Sequence, residues 1–219
     1  MMADLARRKD RFLMEAMWMS FNPAIIEAIG LVRAGEIGDP RTVQASFGFP
    51  VPPDGGSRLW DPARAGGSLL DQGVYPLTLA QLVLGRPDTV SAAGSSLGPD
   101  GRDSGVDTEV AVLLGYRTGQ QAVLATSIRS MLPLSASICG AGGMIELPEA
   151  FWSGTEYAIR HPGEPRRSRS LDREGAGYVP MLRAVCDAVR AGWTEHPRWD
   201  HESSLTLMET VERVRAKLA

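Results

Sequence analysis

Apolar positions first fall into a clear period over residues 22–35, "NPAIIEAIGLVRAG", where Ile25, Ile26, Ile29 and Val32 recur at helical spacing. Asn22 is suited to cap the helix, Pro23 fits its first position because no N–H is needed there, and Gly35 ends it, so a helix over 22–34 is expected. At residues 41–49, "RTVQASFGF", the period switches to two. Val43, Ala45, Phe47 and Phe49 point one way and Thr42, Gln44, Ser46 and Gly48 the other, as in a strand with one covered face. Ahead of both, residues 3–10 read as a helical lead-in and the short apolar run "RFLMEAMWM" (11–19) as a strand.

From residue 87 the chain becomes a succession of strand signals: "DTVSAAG", "DTEVAVLLGY", "QAVLATSI", "LSASICG", "GMIEL", "EYAIRH" and "RRSRSL", separated by turns such as "RTGQ" and "GAGG". Helical spacing returns over 178–191, with Met181, Leu182, Val185, Ala188 and Val189 as its apolar positions, and over 201–218 behind Asp200 as a cap. With a further helix over 68–84, the expected fold is α+β: a large, mostly antiparallel sheet with helices on one face. "VAVLLGY" (110–116) and "AVLATSI" (122–128) are apolar at successive positions, hence on both faces. Helices cover only one face, so a second copy of the chain is expected to pack on the other, with Leu124 as the probe if it lies there.

Charge and cysteine usage narrow the partners. A formal net charge of −3 argues against nucleic acid or an anionic membrane. The densest basic run, "RHPGEPRRSRSLDR" (160–173), is interleaved with acids and polar residues and reads as a solvated hairpin. Cys139 and Cys186 are far apart and without CxxC spacing, consistent with two buried thiols in a reducing cytoplasm. No apolar run is long enough for a membrane span and the N-terminus has no secretory pattern, so a cytoplasmic location is expected. His161, His196 and His201 lack metal-site spacing, and no nucleophile triad stands out. A glycosidase pair of Asp61 and Asp71 remains a minor alternative.

The segment richest in chemistry is "AGGSLLDQGVYP" (65–76), which follows a long Pro/Gly loop, "PVPPDGGSRLWDPARAGG", suited to walling a pocket. Asp71 and Tyr75 stand four residues apart, on one face of a helix. Read alone they are a solvated acid and a half-buried ring. Their setting alters this: glycines 66, 67 and 73 permit close backbone approach, and Pro76 places Tyr75 at a kink or break.

Four motifs, "FLMEAMW", "AGEIGDPRTVQASFGF", "GGSLLDQGVYP" and "DTVSAAG", occur in this order at spacings that resemble the Gfo/Idh/MocA oxidoreductases, most closely their dimeric dihydrodiol dehydrogenase-like branch. The resemblance runs over about residues 3–218 and implies the glyceraldehyde-3-phosphate dehydrogenase-like C-terminal domain of that family. It places Tyr75 as catalytic acid/base and Asp71 as its companion carboxylate, and aligns Trp18, Arg41 and Phe47 with pocket-lining positions. It implies hydride exchange between NAD or NADP and a CH–OH or carbonyl carbon of a sugar, polyol or dihydrodiol. A phenol of pKa near 10 needs a nearby cation to act as a base at neutral pH; the family's cation is the lysine of a Glu-Lys-Pro motif.

The chain departs from the family here. Its only lysines are Lys9 and Lys217, neither in that motif, and no strand–GxGxxG–helix occurs. "CGAGGMIEL" runs from strand to strand and reads as a hairpin turn. Residues 1–219 are thus expected to be one substrate-binding, catalytic and oligomerisation domain without a Rossmann domain, binding no dinucleotide by itself and inactive alone, with a separate nucleotide-binding domain as a possible partner. The competing expectation is a stand-alone dimerisation or small-ligand-binding module without redox activity.

Overall fold

A computed structural model describes residues 2–53 and 56–218; residues 54 and 55, inside the Pro/Gly loop, lie outside the described residues. Five α-helices and eight strands follow in the order α1 (Met2–Lys9), α2 (Pro23–Arg33), β1 (Pro40–Gly48), α3 (Val74–Leu84), β2 (Thr89–Ser95), β3 (Glu109–Gly115), β4 (Gln121–Ser127), β5 (Ala136–Gly140), β6 (Gly143–Leu147), β7 (Glu156–Arg160), β8 (Arg167–Ser170), α4 (Val179–Arg190) and α5 (His201–Leu218). The strands form a single sheet in the order β2-β3-β4-β1-β5-β6-β7-β8. Two antiparallel meanders, β2–β4 and β5–β8, flank β1 at the centre. Among the described residues the β1–β4 pair alone is parallel, and the chain between those strands includes α3, the crossover that a parallel pair needs.

The strands expected at 41–49 and from residue 87 onward are present, and "GAGG" is the turn between paired Gly140 and Gly143. The basic run forms the β7–β8 hairpin. Asn22 caps α2, its Oδ1 accepting from Ala24 N at 2.9 Å, and Asp200 Oδ1 accepts from Ser203 N at 2.7 Å in the first turn of α5. α3 packs against β1 and β4, α5 against β2 and α2 against β7, which puts all three on one face. Between them lie Val43, Val110, Val112, Leu114, Leu124, Ile138, Ile145, Leu207 and Val211, all buried.

Three expectations are corrected. Residues 11–19 are not a strand: Met17, Trp18, Met19, Ser20 and Phe21 are buried in succession, which alternating side chains of a one-sided strand do not allow. The chain instead makes a 3-10 turn over Trp18–Phe21, and Leu13 N donates to Thr194 O at 3.0 Å in the connection between α4 and α5. Leu124 lies on the helix-covered face at 3% exposure, whereas its neighbour Val123 is 47% exposed on the open one. The thiols are free but not buried: Cys139 is half-buried on the open face and Cys186 is exposed on α4. α4 packs through Met181 and Ala188 and leaves Leu182 and Val189 54% and 53% exposed, so only part of its apolar stripe is covered.

Candidate functional site

The helix carrying Asp71 and Tyr75 begins irregularly. Leu69–Gly73 form a π-turn that runs directly into α3, with Pro76 in the first turn of the α-helical part. Pro76 has no N–H to offer the preceding turn, and the π-turn is how the backbone accommodates it; such bulges re-aim side chains, often at functional sites. The expected kink is therefore a change of helical pitch and not an end of the helix.

Asp107, just before β3, anchors the start of this element. Its carboxylate accepts from Leu69 N at 2.6 Å and Ser68 Oγ at 3.0 Å, so a side chain from elsewhere in the sequence caps the helix. Gly67 makes room for it: φ is +102°, and a Cβ there would stand 2.5 Å from Asp107 Oδ1. Gln72 is fully buried under the sheet. With its amide nitrogen turned toward the strands, it donates to Phe47 O at 3.2 Å and Ser127 O at 2.7 Å, tying the π-turn to the ends of β1 and β4.

Tyr75 is thereby held in an aromatic cluster. Trp18 Nε1, from the 3-10 turn, donates to Tyr75 Oη at 2.9 Å, with the rings nearly perpendicular at 82°. Phe47, at the end of β1, lies 5.6 Å from the Tyr75 ring and stacks on Trp152 at 3.6 Å and 11°. Trp152 is also 6.0 Å from Tyr75, and Tyr178 packs 4.5 Å from Trp18 at the start of α4. Gly177, with φ +95°, permits that approach, since a Cβ there would meet the Trp18 ring at 2.7 Å.

Burial is the main influence raising the Tyr75 pKa above its ordinary value of 10, with smaller contributions from Tyr178 and Asp71, while the Trp18 hydrogen bond opposes it. The phenol is protonated throughout the neutral range. Because its oxygen already accepts from Trp18, its own proton is free to be donated to a bound oxygen.

The structure brings Trp18, Phe47 and Tyr75 together and leaves two of the expected residues outside their contacts. Asp71 makes an ion pair with Arg58, from the loop between β1 and α3, and acts on Tyr75 only through its charge. That loop is ordered near Arg58 by 3-10 turns, with Leu59, Val106 and Ile128 as a small core of their own. Arg41 does not reach the cluster. It is exposed at the opposite end of β1 from Phe47, about 20 Å along a strand of this length, and donates to Thr118 O at 3.3 Å in the β3–β4 turn. Asp61 accepts from Ala63 N at 2.9 Å to cap its own turn, which gives the glycosidase pair no support. Trp152 and Tyr178 went unrecognised in the sequence. The available signal was "FW" in a connection between strands of a chain with only 6% aromatic residues.

Comparisons with known proteins agree with this architecture. The model of the GFO/IDH/MocA C-terminal domain matches residues 25–146. Trans-1,2-dihydrobenzene-1,2-diol dehydrogenase of Sus scrofa is 36% identical over 219 residues, covering 96% of this chain and 63% of that protein. The Homo sapiens protein is 32% identical over 220 residues, with the same two coverages. Among solved structures, aldose-aldose oxidoreductase from Caulobacter crescentus complexed with glycerol superposes with a TM-score of 0.85 at 25% identity, over 96% of this chain and 63% of that one. KijD10, a 3-ketoreductase from Actinomadura kijaniata in complex with NADP and TDP-benzene, gives 0.85 at 27% identity, over 98% and 65%. The chain therefore spans somewhat less than two thirds of the length of these relatives. With the family model matching more than half of its residues and the same sheet recurring in the solved relatives, the chain belongs to the Gfo/Idh/MocA oxidoreductase family.

Proposed function

We propose that this chain is the substrate-binding and proton-transferring half of an NAD(P)-dependent oxidoreductase acting on a CH–OH or carbonyl group of a sugar, polyol or dihydrodiol. The observation that carries the reading is the Tyr75 hydroxyl, held by Trp18 at 2.9 Å beside the Phe47 and Trp152 rings. A nicotinamide, when bound, supplies or accepts the hydride. Tyr75 gives its proton to the carbonyl oxygen in reduction and takes the hydroxyl proton in oxidation. Trp18 orients the phenol and steadies the phenolate left behind. The aromatic walls present flat apolar surface to the substrate's carbon skeleton and restrict water around the reacting oxygen. Asp71, neutralised by Arg58, belongs to the support of the helix start and tunes the phenol through its charge.

The reading includes a nucleotide-binding domain, covalently attached or separate, that provides the cation for Tyr75 and the phosphate grip. Its support is that the sequence has no strand–GxGxxG–helix to hold a pyrophosphate and no lysine in a Glu-Lys-Pro motif. Titration calorimetry of these residues alone with NADH and NADPH is expected to show no binding tighter than about millimolar; micromolar binding would contradict the division of labour. The same reading places the protein in the cytoplasm, with a two-fold dimer formed through the open sheet face. For the chemistry, Tyr75→Phe in a form complete with its nucleotide domain keeps the ring and removes the proton. Its kcat is expected to fall by about 10² or more, and an unchanged kcat and pH profile would make Tyr75 a packing residue and favour a ligand-binding module without redox activity.

A further inference from the structure

A concavity of about 490 Å³ lies between α2, the end of α3 and the α4–α5 connection, and shares no lining residue with the Tyr75 cluster. Its apolar side is Ile25, Ile29 and Leu82; its polar side is Ser20, Arg33, His196 and Arg198, and no carboxylate lines it. Three features point to a ligand. The Ser20 hydroxyl, in a residue 3% exposed, has no hydrogen-bond partner, a costly arrangement for a buried polar group. Among the described residues, the guanidinium groups of Arg33 and Arg198 have no ion-pair or hydrogen-bond partner either, although most arginines of this chain have one. Gly30 lines the mouth of the cavity in the C-terminal part of α2, where it is exposed; glycine still weakens a helix there, and a Cβ would meet nothing within 4 Å. No neighbour demands that glycine; what its missing side chain leaves is space in the cavity.

The polar groups are all donors. Arg198 N donates to His196 Nδ1 at 3.1 Å, which fixes the neutral ring with its proton on Nε2. Burial, and then the Arg198 charge, lower the His196 pKa, so the ring stays neutral at pH 7. A carboxylate, with two oxygens and about four lone-pair sites, suits a lining of two guanidinium groups, one hydroxyl and one imidazole N–H. The isoleucine and leucine side suits a hydrocarbon body and gives a bare inorganic anion nothing to bury. We propose that this cavity is a binding site for a small monocarboxylate with an apolar chain, separate from the Tyr75 site and independent of the redox reading. The cavity lies within the usual size range for small-molecule sites.

The test uses the chain with hexanoate as probe, its uncharged isostere hexanamide, and inorganic phosphate, followed by amide chemical shifts. Hexanoate is expected to shift Ser20, Gly30 and Arg198 with a Kd of about a millimolar or tighter, in keeping with eight non-hydrogen atoms. Hexanamide is expected to bind at least about tenfold more weakly, the effect of losing charge-assisted hydrogen bonds. Arg33→Ala with Arg198→Ala should weaken hexanoate by a similar factor with an unchanged thermal midpoint, since both side chains are exposed and without partners. Gly30→Leu should abolish binding by filling the space while leaving the chain at least as stable, which keeps the test decisive even if the arginine variant misbehaves. Equal binding of hexanoate and hexanamide, shifts confined to another region, or undiminished binding by Gly30→Leu would each overturn the proposal. Phosphate binding as tightly as hexanoate would also overturn it, in favour of an inorganic-anion site.

Discussion

The two faces of the sheet are made from the same strands and obey different rules. On the covered face, Val112, Leu124 and Ala45 sit side by side across β3, β4 and β1, all buried beneath helices. One residue along, the open-face row reads Ser91, Leu113, Val123, Gln44, Ser137, Glu146 across six strands. Leu113 and Val123, 46% and 47% exposed, are the larger apolar groups of that row, and the adjacent row has the small residues Ala93, Ala111, Ala125 and Ser46. The covered face is a core in which volume and polarity are fixed. The open face is small-featured and mildly apolar, with a shallow hollow of about 660 Å³ lined by Gln44, Ser46, Ala111, Val123, Ser137 and Glu146, and is more suited to close approach by another surface than to standing alone. Alternation along a strand is thus enough to make neighbouring residues belong to different problems, folding for one and association for the other.

The same substitution on adjacent residues separates them most sharply. Leu124→Glu places a carboxylate under α3 without a partner, and the cost is expected to rival the whole stability of a domain this size, about 5–15 kcal/mol. Circular dichroism should show loss of a cooperative melt; a native-like melt would mean the covered face tolerates charge. Val123→Glu, one position on, should change the stability of the folded chain by no more than about 0.5 kcal/mol. Its effect should be seen in light scattering at micromolar concentration, where the wild type is expected to be a dimer or a multiple of one and the variant a monomer. A wild-type monomer would remove the open face from the proposed assembly.

The smallest effect belongs to the corner where β7 and β8 meet the α2–β1 connection, at the margin of both faces. Arg167 and then His161 hold the Glu36 carboxyl below its ordinary value of 4.5, and the Gly142 carbonyl, then Glu36, raise His161 above 6.5. The lowered carboxylate contributes stability above about pH 4.5 that is lost as pH falls through its folded value. The raised imidazole contributes stability below about pH 6.5 that is lost as pH rises through its folded value. Both act together only between those limits. The thermal midpoint of the wild type should exceed that of His161→Gln by its widest margin at about pH 5–6, with the gap closing by about pH 9; the groups are partly solvent-accessible, so the margin is modest. A gap that widens with pH would show that the imidazole acts through packing and not through charge.

Much of this protein was determined locally and could be read from sequence. The Asn22-Pro23 helix start, the alternation of β1 and the hairpins from β3 to β8 depend on neighbours within a few residues, so their patterns survive in the linear chain. The same holds for Tyr75 beside Pro76, whose unusual setting is a property of twelve consecutive residues. What tertiary structure alone decided is where distant segments meet. Residues 11–19 looked like a strand because their apolarity is continuous, but the 3-10 turn at their end buries Trp18 so that it bonds to Tyr75, 57 positions later. Arg41 and Phe47 share a strand, yet the length of that strand separates them, and only the second reaches the cluster. Trp152 and Tyr178 are brought in by a β6–β7 connection and a helix start whose positions depend on the assembled sheet. Which of Val123 and Leu124 faces the helices was set by register against β1 and β3. Alternation fixes that successive side chains oppose each other, but only packing against the helices decides which set is inside.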